Sequence, residues 1–259
     1  MGISFSKVKK SQESQEYKDL HIITFNNNLS SYSSYNNNIL YNFINNFKQK
    51  NCIICIQGLR YDITEIIENK DIDNYYYSKQ LGLLIYSNLK LISNKIKIFD
   101  LKKYKILNQN KYGFQILNLD FCNINLAVYN LELIPDIISS IDFDQLRQDQ
   151  VVELIQYICK NKNYKYNIVT GCFYEYKNIN FEELINIAQI NNIITNLETG
   201  TQQSYIFLYS QKLANKISNL NKYLKDKLNI EVINHKIYNL QISEHCPFET
   251  ILRIKDIKN

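Results

Sequence analysis

The run Cys52-Ile53-Ile54-Cys55-Ile56 leaves no polar side chain for water on either face of an extended segment. A strand of that kind is stable only when both faces are covered, so the chain must build layers above and below it. A second buried strand is read at 166–170, and Leu20-His21-Ile22-Ile23-Thr24-Phe25 is a short β-branched run of the same class. Amphipathic helices fall between these runs. Ile39, Leu40, Phe43, Ile44 and Phe47 recur at helical spacing. Residues 143–160 form the clearest helix, with Leu146, Val151, Leu154, Ile155 and Ile158 on one face and Asp142 or Asp144 at its start.

Between these landmarks, 75–77 and 82–86 read as strands around a turn, and 95–101 as an edge strand. Residues 113–119 and 124–130 read as an antiparallel hairpin with Asp120-Phe121-Cys122-Asn123 between them. Phe181, Leu184, Ile185 and Ala188 have the spacing of a short helix. Brief strands are read at 193–194 and 205–208, a basic amphipathic helix at 211–228, and closing strands at 237–242 and 248–254. Hairpins beside crossover helices predict an α/β fold, a four-layer α/β sandwich of two packed mixed β-sheets flanked by helices.

With 45% hydrophobic and 21% charged residues over 259, a disordered chain is excluded. No apolar run is long enough for a membrane-spanning helix, and no secretory signal is read at the start. Six cysteines are too few for a disulfide scaffold, which points to a reducing, cytoplasmic compartment. Cys52 and Cys55 lie three apart in an extended run, so they face opposite ways and read as core rather than as a zinc pair. The net charge of +5 permits an anionic partner without requiring one. The lysines of 211–228 keep nucleic acid among the partners, though it is not the favoured one. Asn, Ile and Lys are in excess, as an AT-rich genome produces, and the Asn runs at 26–28 and 36–38 read as surface loop.

Residues 1–19 are polar and read as a flexible arm, with the folded domain spanning 20–259. Met1-Gly2-Ile3-Ser4-Phe5-Ser6 fits the N-myristoylation pattern, and Lys7, Lys9 and Lys10 follow it. One acyl chain holds a membrane only marginally, and a basic cluster is the usual second signal. The expectation is a lipoprotein acylated at Gly2, peripheral at the cytosolic face of a membrane or inside a viral particle. No protein partner is named by the sequence.

Eight short segments, in order, resemble the endonuclease/exonuclease/phosphatase superfamily of metal-dependent phosphodiesterases. Thr24-Phe25-Asn26 is similar to T-x-N, and Ile53-Ile54-Cys55-Ile56-Gln57-Gly58 to I-I-x-L-Q-E. Gly82-Leu83-Leu84-Ile85-Tyr86-Ser87 is similar to G-x-A-I-x-S, and Val128-Tyr129-Asn130-Leu131-Glu132-Leu133 to V-x-N-T-H-L. Arg147 and Gln150 reproduce R-x-x-Q. Residues 168–174 correspond to I-L-x-G-D-F-N, Ser204-Tyr205-Ile206-Phe207 to D-Y-I-F, and Ser243-Glu244-His245-Cys246-Pro247 to S-D-H-x-P. The resemblance implies a four-layer sandwich with a Mg²⁺ site at its strand ends.

At that implied site most ligands are replaced. Gly58 stands for the Mg²⁺-binding Glu, Cys172 for the Asp that activates the nucleophile, and Tyr174 for the phosphate-contacting Asn. Glu132 replaces a His, Ser204 an Asp, and Glu244 an Asp, while Asn26, Gln57 and His245 are kept. A hard dication needs several oxygen ligands, and a thiol is a poor substitute. Removing one member of a cooperating catalytic set costs about 10³–10⁶ in rate. The expectation is therefore a pseudoenzyme with no catalytic residues, no metal and no cofactor, acting as a binding or structural protein. The alternative is a divergent Mg²⁺-dependent phosphodiesterase or phosphatase acting on nucleic acid or lipid headgroups. Its relocated site would use Glu132, Glu244 and His245, with Asp62 and Glu65 just past Gly58.

Overall fold

The computed structural model describes residues 17–27, 34–59, 74–104, 111–135, 142–161, 164, 166–174, 184–186, 204–209, 229–238, 240 and 246–255. In chain order these carry β1 (Tyr17–Asn26), α1 (Ser34–Asn45), β2 (Cys52–Gln57), β3 (Tyr75–Ser78), β4 (Leu83–Ser87), β5 (Lys90–Ile98), β6 (Gly113–Phe121), β7 (Ile124–Glu132), α2 (Phe143–Lys160), β8 (Tyr166–Cys172), β9 (Leu184–Asn186), β10 (Ser204–Tyr209), β11 (Ile230–Ile237) and β12 (Phe248–Lys255).

Two six-stranded mixed sheets result. One has the order β11-β12-β1-β2-β4-β3 and the other β5-β6-β7-β8-β10-β9. Alternate residues of each strand point to opposite faces, and this period sorts the core into three parts. Leu20, Ile22, Ile53, Cys55, Ile85, Leu126, Val128, Ile168, Ile206 and Phe248 fill the space between the sheets. Ile23, Phe25, Ile54 and Ile56 face outward and are covered by Leu40, Phe43 and Ile44 of α1 and by Phe47 in the turn after it. Ala127, Tyr129, Leu131 and Val169 face outward on the other sheet, under Leu146, Val151, Leu154 and Ile158 of α2. The order of layers is helix, sheet, sheet, helix, as the alternation of runs and helices requires.

Several local readings hold for physical reasons. The α2 helix spans the residues expected, and Asp142 caps it by accepting from the Gln145 amide at 3.1 Å. Cys52 and Cys55 lie in different core layers, both fully buried. The β6–β7 hairpin turns on Cys122 and Asn123 alone, at φ 55° and 65°. That is the two-residue turn whose twist matches its strands, so β6 runs two residues further toward the turn than expected, and β7 runs two further at its far end.

Other readings need correction. Leu184–Asn186 is not helical; it is an edge strand paired antiparallel with β10 through Phe207↔Asn186 and Tyr209↔Leu184. Strand pairing outweighs helical spacing there. The penultimate strand is Ile230–Ile237 rather than 237–242, because β12 fixes its register from Ile230↔Ile254 to Ile237↔Phe248. The edge strand expected at 95–101 is Lys90–Ile98. The first strand begins at Tyr17, so residues 17–19 of the expected arm belong to the sheet, where Arg253 donates to Asp19 at 2.8 Å. Asn26 and Asn27 are fully buried and Asn38 lies in α1, so neither Asn run is surface loop. Residues 193–194 and 211–228 lie outside the described residues.

Two predictions follow from this packing. Gly171 has φ 153°, and a Cβ there would stand 2.0 Å from the Leu131 carbonyl oxygen of β7. Gly171→Ala is expected to lose about 3 kcal/mol of stability, read from the urea midpoint; a loss below about 1 kcal/mol would contradict this close approach. On the outer face under α1, Glu249 is buried, with Oε1 2.6 Å from His21 Nδ1 and Oε2 accepting from the Tyr238 hydroxyl at 2.6 Å. Burial raises its pKa, but the bonds from His21 and Tyr238 outweigh it and hold the carboxyl below its usual value of 4.5. A lowered folded-state value stabilises above the unfolded pKa, and the gain fades as pH falls from about 4.5 through the folded value. Glu249→Gln is expected to cost about 2 kcal/mol at pH 7 and to flatten the acid limb of the stability curve. An acid limb unchanged in the variant would contradict the assignment.

Candidate functional site

The parity that sorts the core also places the candidate residues. In β1 the inward positions are Leu20, Ile22, Thr24 and Asn26; in β2 they are Ile53, Cys55 and Gln57. In β7 they continue from Leu126 and Val128 to Asn130 and Glu132, and in β8 from Ile168 to Thr170 and Cys172. β1 and β2 run parallel with Asn26 opposite Gln57, and β7 and β8 run parallel with Glu132 opposite Cys172. The strand ends of both sheets therefore meet in one place. Ser204 opens β10 in register with Cys172, so the third member of the row is where the resemblance put it.

The floor of the site is an inter-sheet hydrogen-bond lattice. Gln57 Nε2 donates to Asn130 Oδ1 at 2.7 Å and to Thr24 Oγ1 at 3.2 Å. Asn130 Nδ2 donates back across the gap to the carbonyls of Ile56 at 3.1 Å and Leu84 at 3.0 Å. All of these groups are fully buried. Asn26 and Cys172 stand near each other across the same gap, as do Cys55 and Thr170. Asn130, which carries the lattice, was visible only as one letter of a motif.

Above the floor the site is closed by Tyr174. Its hydroxyl donates to Glu132 Oε1 at 2.6 Å, and Glu132 is only 3% exposed. Tyr174 has φ 52°, a left-handed conformation that a bulky residue adopts only when its surroundings compel it. The Arg147 guanidinium lies 5.6 Å from the Tyr174 ring and 5.8 Å from that of Phe143, within cation–π range. Arg147 Nε also donates to the Ile134 carbonyl at 2.9 Å, and Gln150 Oε1 accepts from the Ile134 amide at 3.1 Å. The R-x-x-Q pair of α2 thus grips the segment after β7, and Arg147 stacks on the residue closing the site. The link from Tyr174 to Glu132 joins residues 42 apart, beyond any local pattern in the sequence.

These residues do not fit Mg²⁺. Gly58 has no donor atom, and its φ of 72° is a conformation in which a side chain is strained. Cys172 is fully buried, and its thiol is pushed up to about 12, chiefly by burial and then by the charge of Glu132. Glu132 is the only carboxylate in the described part of the row. Among the described residues, no group of three or more His, Cys, Asp or Glu is close enough to hold an ion. Asp62, Glu65, Glu244 and His245 lie outside the described residues, and of Ser204 only the backbone is described.

A thiol with a pKa near 12 is ionised to only about one part in 10⁴ at pH 8. Iodoacetamide at pH 8 is therefore expected to leave Cys52, Cys55 and Cys172 unlabelled in the native protein while modifying partly exposed Cys122 and Cys159. Mass mapping checks this, and fast labelling of Cys172 in the folded chain would contradict a closed, inert thiol.

No family model matches the sequence, and no curated protein is similar to it. Solved structures are. TDP2 of D. rerio, in complex with a single-strand DNA product, superposes with a TM-score of 0.62 at 12% identity, covering 90% of this chain and 98% of that one. An endonuclease/exonuclease/phosphatase from Beutenbergia cavernae gives a TM-score of 0.65 at 9% identity, covering 92% and 72%. Sphingomyelinase C from Streptomyces griseocarneus gives 0.58 at 11% identity, covering 92% and 99%. At such identities the likeness is one of fold, and it agrees with the layer order. The chain has the endonuclease/exonuclease/phosphatase fold.

Proposed function

We propose that this chain is a catalytically inactive relative of endonuclease/exonuclease/phosphatase-type phosphodiesterases, acting as a binding or structural protein and anchored to a membrane through its N-terminus. The observation that carries the reading is the Tyr174–Glu132 hydrogen bond. A metal-binding carboxylate has to offer an oxygen lone pair to the ion. Glu132 is buried beside an inert thiol, and its Oε1 accepts the hydrogen bond of the Tyr174 phenol. A phosphate placed there would meet a carboxylate with no cation between them, a repulsive arrangement in a poorly solvated cleft. Gly58 deepens the loss, because a Glu restored there would sit in a left-handed conformation at a cost of about 1–2 kcal/mol. The similar solved structures include proteins named for DNA and for sphingomyelin, so both serve as test substrates.

The full chain, assayed with Mg²⁺ or Mn²⁺ on single-stranded DNA and on sphingomyelin vesicles, is expected to give no turnover above the protein-free rate. Turnover that requires the cation and disappears in His245→Ala would establish the alternative, a divergent phosphodiesterase using Glu132, Glu244 and His245. The anchor rests on Gly2 with Lys7, Lys9 and Lys10, two signals of the kind that together hold a membrane. Chain isolated from its native cell is expected to carry the added mass of one myristoyl group on Gly2, and Gly2→Ala to abolish sedimentation with anionic vesicles. A bare Gly2 in native material would remove the anchor.

A further inference from the structure

On the outer face of the β11-β12-β1 edge, away from the strand-end site, a cavity of about 400 Å³ opens between α1 and the end of β11. Sites that hold small molecules span about 300–1,000 Å³ and are mostly apolar with a few placed polar groups. This cavity has that character. Ile39, Phe43, Phe47, Tyr238 and Leu240 form its apolar walls, and Lys50 and Lys236 are its charged residues.

The walls are held in place before any ligand arrives. The Phe43 ring packs edge-on against Phe47 at 5.3 Å and against Tyr238 at 5.2 Å, and Phe47 lies 6.0 Å from Tyr238. Tyr238 is pinned at both ends: its amide donates to the Pro247 carbonyl at 2.9 Å and its hydroxyl to Glu249. The two ammonium groups lie over the rings of the same walls. Lys236 Nζ is 4.4 Å from the Tyr238 centroid, and Lys50 Nζ is 5.0 Å from that of Phe47. The nearby carboxylate, Glu249, is buried behind Tyr238 and engaged by His21 and Tyr238. Among the described residues two lysines stand against one carboxylate, which leaves the mouth positive beside an apolar interior.

We infer that this cavity binds a small molecule with one anionic head and an apolar body, the head between Lys50 and Lys236 and the body against Phe43, Phe47 and Leu240. An apolar body gains from leaving water, and a single carboxylate or phosphate matches the excess charge at the mouth. This site lies on the opposite face of its sheet from Gln57 and Asn130, so it is independent of whether the strand-end site is inactive.

Calorimetric titration of the full chain with decanoate, decyl phosphate and decanol tests the inference. One saturable site is expected for at least one of the two anions, and the tighter of them identifies the head group. Decanol is expected to bind at least about tenfold more weakly, as is the better anion in the exposed double variant Lys50→Gln/Lys236→Gln. Asn42→Trp, an exposed substitution at the cavity lining, is expected to abolish binding with the thermal midpoint unchanged. No saturable binding of either anion would overturn the inference. So would decanol binding as tightly as the anions, or binding undiminished in the variants.

Discussion

The amide of Gln57 is the contact on which the strand-end architecture depends. It is buried between two sheets, where a polar group without partners costs about 1–3 kcal/mol. Its bond to Asn130 and the return bonds from Asn130 to β2 and β4 satisfy both amides across the gap. Apolar packing between sheets tolerates sliding, but a directional lattice of this kind permits one register. Once Gln57 faces Asn130, parity does the rest. Glu132 lies two residues beyond Asn130, and Cys172 two beyond Thr170, on the same inward face.

The polar residues that join the sheets, Thr24, Gln57 and Asn130, are present and hydrogen-bonded. Where the resemblance implies a metal-binding Glu, an activating Asp and a phosphate-contacting Asn, the chain has Gly58, Cys172 and Tyr174. In the proposed reading, stability has been kept where it serves the fold. A clustered set of carboxylates repel one another without their ion. Gly58 and the buried thiol of Cys172, where the resemblance implies carboxylates, remove that repulsion, and the Tyr174–Glu132 pair closes the cleft. The strained backbone of Tyr174 is compensated by its bond to Glu132 and by the Arg147 guanidinium packed on its ring.

What the sequence made legible was whatever a short window determines. The cap at Asp142 and the 3.6-residue period delimit α2, and the two-residue period assigns Cys52 and Cys55 to different layers. The motif order placed Asn26, Gln57, Glu132 and Cys172 at facing strand ends, because each motif ends a strand. Long-range pairing was not legible. Leu184-Ile185 fits helical spacing equally well, and only β10 decides that it is a strand. Apolar residues recur in both halves of 230–242, and β12 pairs with Ile230–Ile237. The Tyr174–Glu132 bond spans 42 positions and the His21–Glu249 contact 228, so no local pattern could announce either.

The central claim is that the sandwich persists while its strand-end cleft no longer gathers enough oxygen atoms to hold a divalent cation. Crystals of the full chain grown in manganese, with anomalous scattering measured at the metal's edge, address it most directly. The account predicts no anomalous peak between Gln57 and Glu132, with Tyr174 still closed on the carboxylate. An ordered ion there, bound by three or more protein oxygens, would contradict it.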